Sequence, residues 1–208
     1  MRNTGRLAGL VLGVLVGGSG VALAQLPPGV FRGESDIKAA PAGVYALDPS
    51  HTSVIAKVSH IGYGLSVFRF GEVEGSLTWD PAQPESSKLT VKVKTASIET
   101  PVAGFAKELA GSKYLNATAH PDATFVSTAF HRKDDAHGTV DGTLSLMGKS
   151  APVTFDVELQ GAGKGFMGHP RLGISGTGRM NPQDFGMNPM FSTPIRLEID
   201  AEFATAGK

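Results

Sequence analysis

The segment PIRLEIDAEF (194–203) alternates without exception. Ile195, Leu197, Ile199, Ala201 and Phe203 hold one parity; Arg196, Glu198, Asp200 and Glu202 hold the other. Successive side chains of a strand point to opposite faces, so this segment has one dry and one wet face. KLTVKVKT (88–95) and PVTFDVELQ (152–160) repeat the pattern, and weaker versions lie at 51–60, 65–79, 122–131, 138–147 and 171–180. Turn residues separate them: Asp80-Pro81, Pro84-Glu85, Asp134-Asp135, Gly148-Lys149 and the Gly161–Gly168 loop. About eight such strands in antiparallel order predict an all-β sandwich or closed barrel. The wet faces carry lysine, glutamate and aspartate, which excludes an outer-membrane barrel, whose outer face is apolar. One stretch departs from period two. PVAGFAKELAGSKYLN (101–116) spaces Val102, Phe105, Ala106 and Leu109 as on a helix, after Thr100 and Pro101 as cap and first turn. One or two short helices are expected there.

The N-terminus reads as an export signal. Arg2 and Arg6 precede the apolar run Leu7–Val21, and Ala22-Leu23-Ala24 supplies a small-x-small cleavage site. Residues 1–24 are therefore expected to be removed and the protein to lie in the periplasm. Residues 25–43, broken by Pro27, Pro28, Gly29, Gly33, Pro41 and Gly43, are expected to form a flexible leader to a barrel over 44–204. Residues 205–208 form a tail. Without Arg2 and Arg6, 17 basic residues face 19 acidic ones, which is no electrostatic footprint for nucleic acid. There is no cysteine, hence no disulfide, acylation site or thiolate metal site.

No catalytic set emerges. The histidines, at 51, 60, 120, 131, 137 and 169, lack the spacing of a helical zinc site. GISGTG (173–178) falls in a strand and not at a strand-to-helix elbow. GAGKG (161–165) lacks both the phosphate-loop and the dinucleotide patterns. Outside that helical stretch, ten phenylalanine and tryptophan residues nevertheless lie in the predicted domain: Phe68, Phe70, Trp79, Phe125, Phe130, Phe155, Phe166, Phe185, Phe191 and Phe203. Glycines interrupt the strands at 62, 64, 71, 75, 173, 176 and 178. An eight-stranded barrel can be filled by its side chains or can hold a small ligand. Strand glycines mark bulges and corners, or make room for a ligand. Periodicity leaves packed core and cavity equally open.

A series of motifs, taken in order, resembles the YceI family of exported lipid-binding proteins. They are YALD (45–48) with HTS (51–53), SHIGYGLSVFRFGEVEGSLTWD (59–80), KTASIET (94–100), LAGSKYLNATAHPDATFVST (109–128), GTLSLMGKSAPVTFDV (142–157) and NPQDFGM (181–187). The sequence departs from the pattern at Ala106 and Glu108, where relatives often carry aspartate and histidine, and at Pro182, where an arginine is common. The resemblance implies one extended, lipocalin-like antiparallel barrel with an apolar tunnel. It implies a bound polyisoprenoid, isoprenoid quinone or similar amphiphile, with no cofactor, metal or catalysis. Ile61, Tyr63, Leu65, Phe68 and Phe70 are then candidates for the tunnel wall, with both parities kept because a bulge at the glycines shifts register by one. Phe125, Phe155 and Phe185 are further wall candidates, and His60, Tyr63 and Asp184 are candidate polar contacts. Two alternatives stand beside the carrier reading. One is an accessory subunit passing quinone to a membrane cytochrome; the other is an enzyme on an apolar substrate with His60 or His51 as base. A homodimer closed over a side opening is carried as an alternative to a monomer.

Overall fold

The structure, a computed structural model, describes residues 32–165 and 168–205. The expected signal peptide (1–24), the first part of the leader, Phe166 and residues 206–208 lie outside the described residues. Ten strands and one α-helix follow in order: β1 (Gly43–His60), β2 (Gly64–Phe70), β3 (Val73–Trp79), β4 (Lys88–Lys94), β5 (Ile98–Glu99), α1 (Phe105–Ala110), β6 (Asp122–Arg132), β7 (His137–Leu146), β8 (Lys149–Lys164), β9 (Pro170–Met180) and β10 (Ile195–Ala204).

Eight strands close a ring in the order β1-β3-β4-β6-β7-β8-β9-β10, and β10 pairs back onto β1 from Ala46↔Ala204 to Lys57↔Arg196. The expected all-β, lipocalin-like barrel of about eight antiparallel strands is thus borne out. Closure pairs the edges an open sheet would expose. The run 65–79, expected as one strand, is two. β1 is long enough to change partners: Gly43–Ala46 pair with β3, and Val54–His60 pair with β2. The chain crosses between them at Gly71-Glu72, where the Gly71 N–H bonds the Ser97 carbonyl at 3.1 Å. The helix is a single one of six residues. Its N-cap is Gly104 at φ +77°, and Thr100 lies outside it. Glycine serves there because that backbone conformation is costly for other residues.

The barrel is closed at one end. Tyr45, Leu77, Leu159, Leu172 and Phe203 fill it, and Ile37 and Ala40 pack over them. The Tyr45 hydroxyl donates to the Pro41 carbonyl (2.6 Å), and the Trp79 indole N–H donates to the Ala40 carbonyl (3.2 Å). Glu34 and Ala162 exchange two backbone hydrogen bonds of 2.8 Å. The flexible leader expected over 25–43 therefore does not extend to Glu34–Gly43, which docks on the barrel.

Outside this end, Arg171 (β9) ion-pairs with Asp48 (β1, 2.9 Å) and with Glu202 (β10). The His51 imidazole first, then Arg171, hold the Asp48 carboxyl below its ordinary value. A carboxyl depressed in the folded state adds stability that is complete above its unfolded pKa of about 3.9 and lost as pH falls through the folded value. We expect Arg171→Gln to cost about 1 kcal/mol at pH 7. The deficit should begin to shrink below pH ~4, where the unfolded chain's Asp48 takes up its proton, and vanish as pH falls through the lower folded value. Urea midpoints at pH 7 and pH 3 check this; an equal deficit at both would mean that packing, not charge, is responsible.

Candidate functional site: an apolar cavity with one open end

The inward faces of the ring strands enclose a cavity of about 910 Å³. Its wall follows from strand parity. Val54, Ala56 and Val58 of β1 face Phe70, Phe68 and Ser66 of β2 across the register, and all six line the cavity. This settles the parity of β2: Leu65, Val67 and Arg69 point outward. From the other side of β1, Leu197 and Ile199 of its neighbour β10 and Gly176 of β9 face in.

Phe125 (β6) and Phe155 (β8) meet edge to face with ring centroids 5.1 Å apart. Their rings lie across the inner faces of Gly142 and Gly178: a Cβ at Gly142 would come 2.5 Å from Phe125 Cε2, and one at Gly178 2.8 Å from Phe155 Cδ1. These two strand glycines are explained by aromatic rings lying flat on the sheet. Gly176 differs, since a Cβ there would have no neighbour closer than 3.9 Å. Leu89, Val140, Val157, Ile174 and Phe203 partition this cavity from a smaller one of about 140 Å³ towards the closed end.

At the open end, four aromatics from four segments form a row. Ring centroids are 6.4 Å apart for Phe68–Phe105, 6.4 Å for Phe105–Tyr114 and 6.1 Å for Tyr114–Phe191. Such spacings suit tilted and edge-on contacts. The β1–β2 hairpin completes the mouth. Tyr63 N–H bonds the His60 carbonyl (3.0 Å), with Ile61 at φ +53° and Gly62 at φ +79° between them. His60 and Ile61 line the opening.

Among the described residues, no Asp, Glu, Lys or Arg lines the large cavity. Its polar groups are neutral: Ser59, Ser66, Tyr114, Asn188, Ser192 and Thr193 near the mouth, Thr52 and Thr95 deeper, with His60 the titratable imidazole at the rim. The arrangement favours an apolar chain and a few hydrogen bonds to an uncharged head. Asp48, His51 and Glu202 bring potential metal-ligating atoms within 4.8 Å of one another outside the cavity, but Arg171 pairs with both carboxylates.

The candidate residues separate into three groups. Phe68, Phe70, Phe125 and Phe155 stand in the wall, with Ile61 and His60 at its rim. Phe185 is 1% exposed and packs in the core without bordering the cavity. Tyr63, Leu65 and Asp184 do not line it. Tyr63 and Leu65 are 91% and 56% exposed, on the hairpin tip and the outer face of β2. Asp184 is exposed in a 3-10 turn, Pro182–Phe185, and accepts from the Asn181 amide at 3.1 Å, within the cap of that turn. The departures at Ala106, Glu108 and Pro182 also fall outside the lining. Sequence reasoning missed Tyr114 and the run from Met187 to Thr193. The available signal in that run is composition, since GMNPMFSTP (186–194) is uncharged and rich in methionine yet has no strand or helix period.

A closed antiparallel barrel around an apolar, one-ended cavity defines a lipocalin-like protein. The chain belongs to the YceI family: the YceI-like domain matches residues 45–203, against the 44–204 expected. It is 37% identical over 161 residues to a UPF0312 protein of Pseudomonas putida strain W619, covering 76% of this chain and 84% of that one. The crystal structure of a YceI protein of Campylobacter jejuni is similar, with TM-score 0.65, 28% identity and coverage of 73% and 91%. A polyisoprenoid binding domain from Saccharophagus degradans shares the fold at TM-score 0.59 and 13% identity, with coverage of 78% and 98%.

Proposed function

We propose that this protein is a periplasmic binding or carrier protein that holds a polyisoprenoid or isoprenoid quinone in its barrel, without catalysis. The observation that carries this reading is a cavity of about 910 Å³ with no charged side chain among its described lining. At about 30 Å³ per water-sized group, that volume takes roughly thirty carbon atoms. Each buried CH₂ contributes about 0.8 kcal/mol, so the tail supplies the affinity. The head is uncharged, because a phosphate or carboxylate drawn inside the lining would be desolvated with no counter-charge among the lining side chains. The polyisoprenoid binding domain of the same fold supports the ligand class. The export signal read at residues 1–24 supports the compartment. Delivery of quinone to a membrane cytochrome is the narrower form of this reading, to be sought by co-purification.

Native mass spectrometry of protein purified from its own periplasm without detergent tests the proposal. A stoichiometric adduct, identified after solvent release as a neutral isoprenoid, is expected. An isoprenoid quinone should outcompete a polyprenyl diphosphate of equal length. A bare polypeptide that stays bare after incubation with both lipids would overturn the reading.

A further inference from the structure

We propose that the open end of the barrel is a membrane-docking rim, which enters the acyl-chain boundary of a bilayer so that ligand passes between bilayer and cavity without crossing water. This rests on the lipid-binding reading above. Three segments build the rim. Ile61 is 82% exposed, Val102 58% and Met190 69%, yet all three also border the cavity, so they surround its mouth. Tyr63, at 91% exposure, stands beside Ile61 on the hairpin tip.

Two observations point to lipid as the occupant. The first is charge. Residues 58–68, 100–106 and 185–195, which carry the rim, contain no Asp, Glu, Lys or Arg. The connections at the closed end carry Asp80 and Glu85 in one turn and Arg132, Lys133, Asp134 and Asp135 in another. The three rim segments are thus uncharged, with Lys149 standing beside Gly186 and Asp184 just before it, whereas the closed end is charged along its turns, and an uncharged rim leaves water at the lower cost. Exposed Lys107 and Lys113 flank the rim, on α1 and the turn after it, as cations for headgroup phosphates, with one exposed carboxylate, Glu108, between them. The second is conformation. Ile61 is a β-branched residue at φ +53°, a region such residues rarely occupy. Glycine would fit the turn better, and the side chain, left mostly in water at the rim, gains little packing within the barrel. An apolar side chain held in water at a conformational cost gains its contacts from a partner, and the partner continuous with this cavity is the source of its apolar ligand. Apolar tips with flanking cations are the composition of interfacial membrane anchors.

The test is flotation of the detergent-free protein with phosphatidylcholine–phosphatidylglycerol vesicles, alongside its Tyr63→Glu and Ile61→Gly variants. Each variant is expected to bind vesicles at least tenfold more weakly. Tyr63→Glu should retain its co-purified lipid, since that side chain lies off the cavity wall. Ile61→Gly should melt no lower than the parent, because glycine accepts the turn, so its loss of binding is not a loss of fold. Unchanged vesicle binding in both variants, or none in the parent, would overturn the proposal. A parent dimer that the variants dissociate, with no vesicle binding, would make the rim a self-interface and overturn it equally. Vesicle binding by a protein that carries no lipid and takes none up would retain the rim while rejecting the ligand reading.

Discussion

Gly176→Phe is expected to empty the barrel of long-chain ligand and leave it folded. Gly176 lies on β9 with its α-carbon facing the cavity, and an added Cβ would meet nothing within 3.9 Å. The backbone is outside the left-handed region, so phenylalanine costs no strain. Its ring would occupy the space of about four or five CH₂ groups of a bound tail. At about 0.8 kcal/mol each that is roughly 3–4 kcal/mol. With about 1.4 kcal/mol per tenfold, affinity should fall more than 100-fold. Titration with an isoprenoid quinone, beside a thermal melt, gives both quantities. Parent-like affinity with an unchanged melt would place the ligand elsewhere than in this cavity.

Gly142→Ala is expected to act on stability instead. The methyl would run into the Phe125 ring and come 2.6 Å from the Val126 carbonyl oxygen, and that ring cannot retreat freely because it is packed edge-on against Phe155, which itself lies over Gly178. Replacing glycine by alanine gains less than about 1 kcal/mol from the unfolded chain. Overpacking costs about 2–3 kcal/mol, so the net effect is destabilising. Gly178→Ala should cost somewhat less, since its Cβ would stand 2.8 Å from Phe155. The mechanism makes a sharper demand: Phe125→Leu should recover part of the Gly142→Ala loss, because the two changes act on one contact. Denaturant unfolding of the single and double variants checks it, and simple additivity would contradict the ring-over-glycine account.

Much of the ring was legible from alternation. In β4, β8 and β10 one parity is apolar and the other charged, and those parities are the inner and outer faces in the structure. What escaped depends on contacts distant in sequence. Nothing local in 65–79 marks the change of partner at Gly71-Glu72, because it is β1 that switches from β3 to β2. The parity of β2 was open for a related reason: both Leu65 and Phe68 are apolar, and only pairing with β1 shows that Phe68 faces in. The order in Glu34–Ala40 comes from Ala162 and Trp79, far along the chain. Strand glycines invited two explanations, bulge or open space. Gly176 opens on the cavity, whereas Gly178 and Gly142 accommodate aromatic rings. Asp184 was misplaced because a capped 3-10 turn and a polar ligand contact use the same residue types.

Among the described residues, the plug of Tyr45, Phe203, Ile37 and Ala40 closes one end and leaves the mouth as the way in and out. The neutral hydrogen-bonding groups gather at the mouth, so the proposed ligand would enter tail first and leave head first. Entry begins with the same few carbons whatever the chain length. Away from a bilayer, departure of the proposed ligand must return every buried carbon to water, so dwell time there should climb with each added isoprene unit while capture scarcely changes; at a docked rim that barrier falls away. On the carrier reading, a dead-end barrel of this kind sorts its cargo by patience in water: short chains escape, and long ones stay.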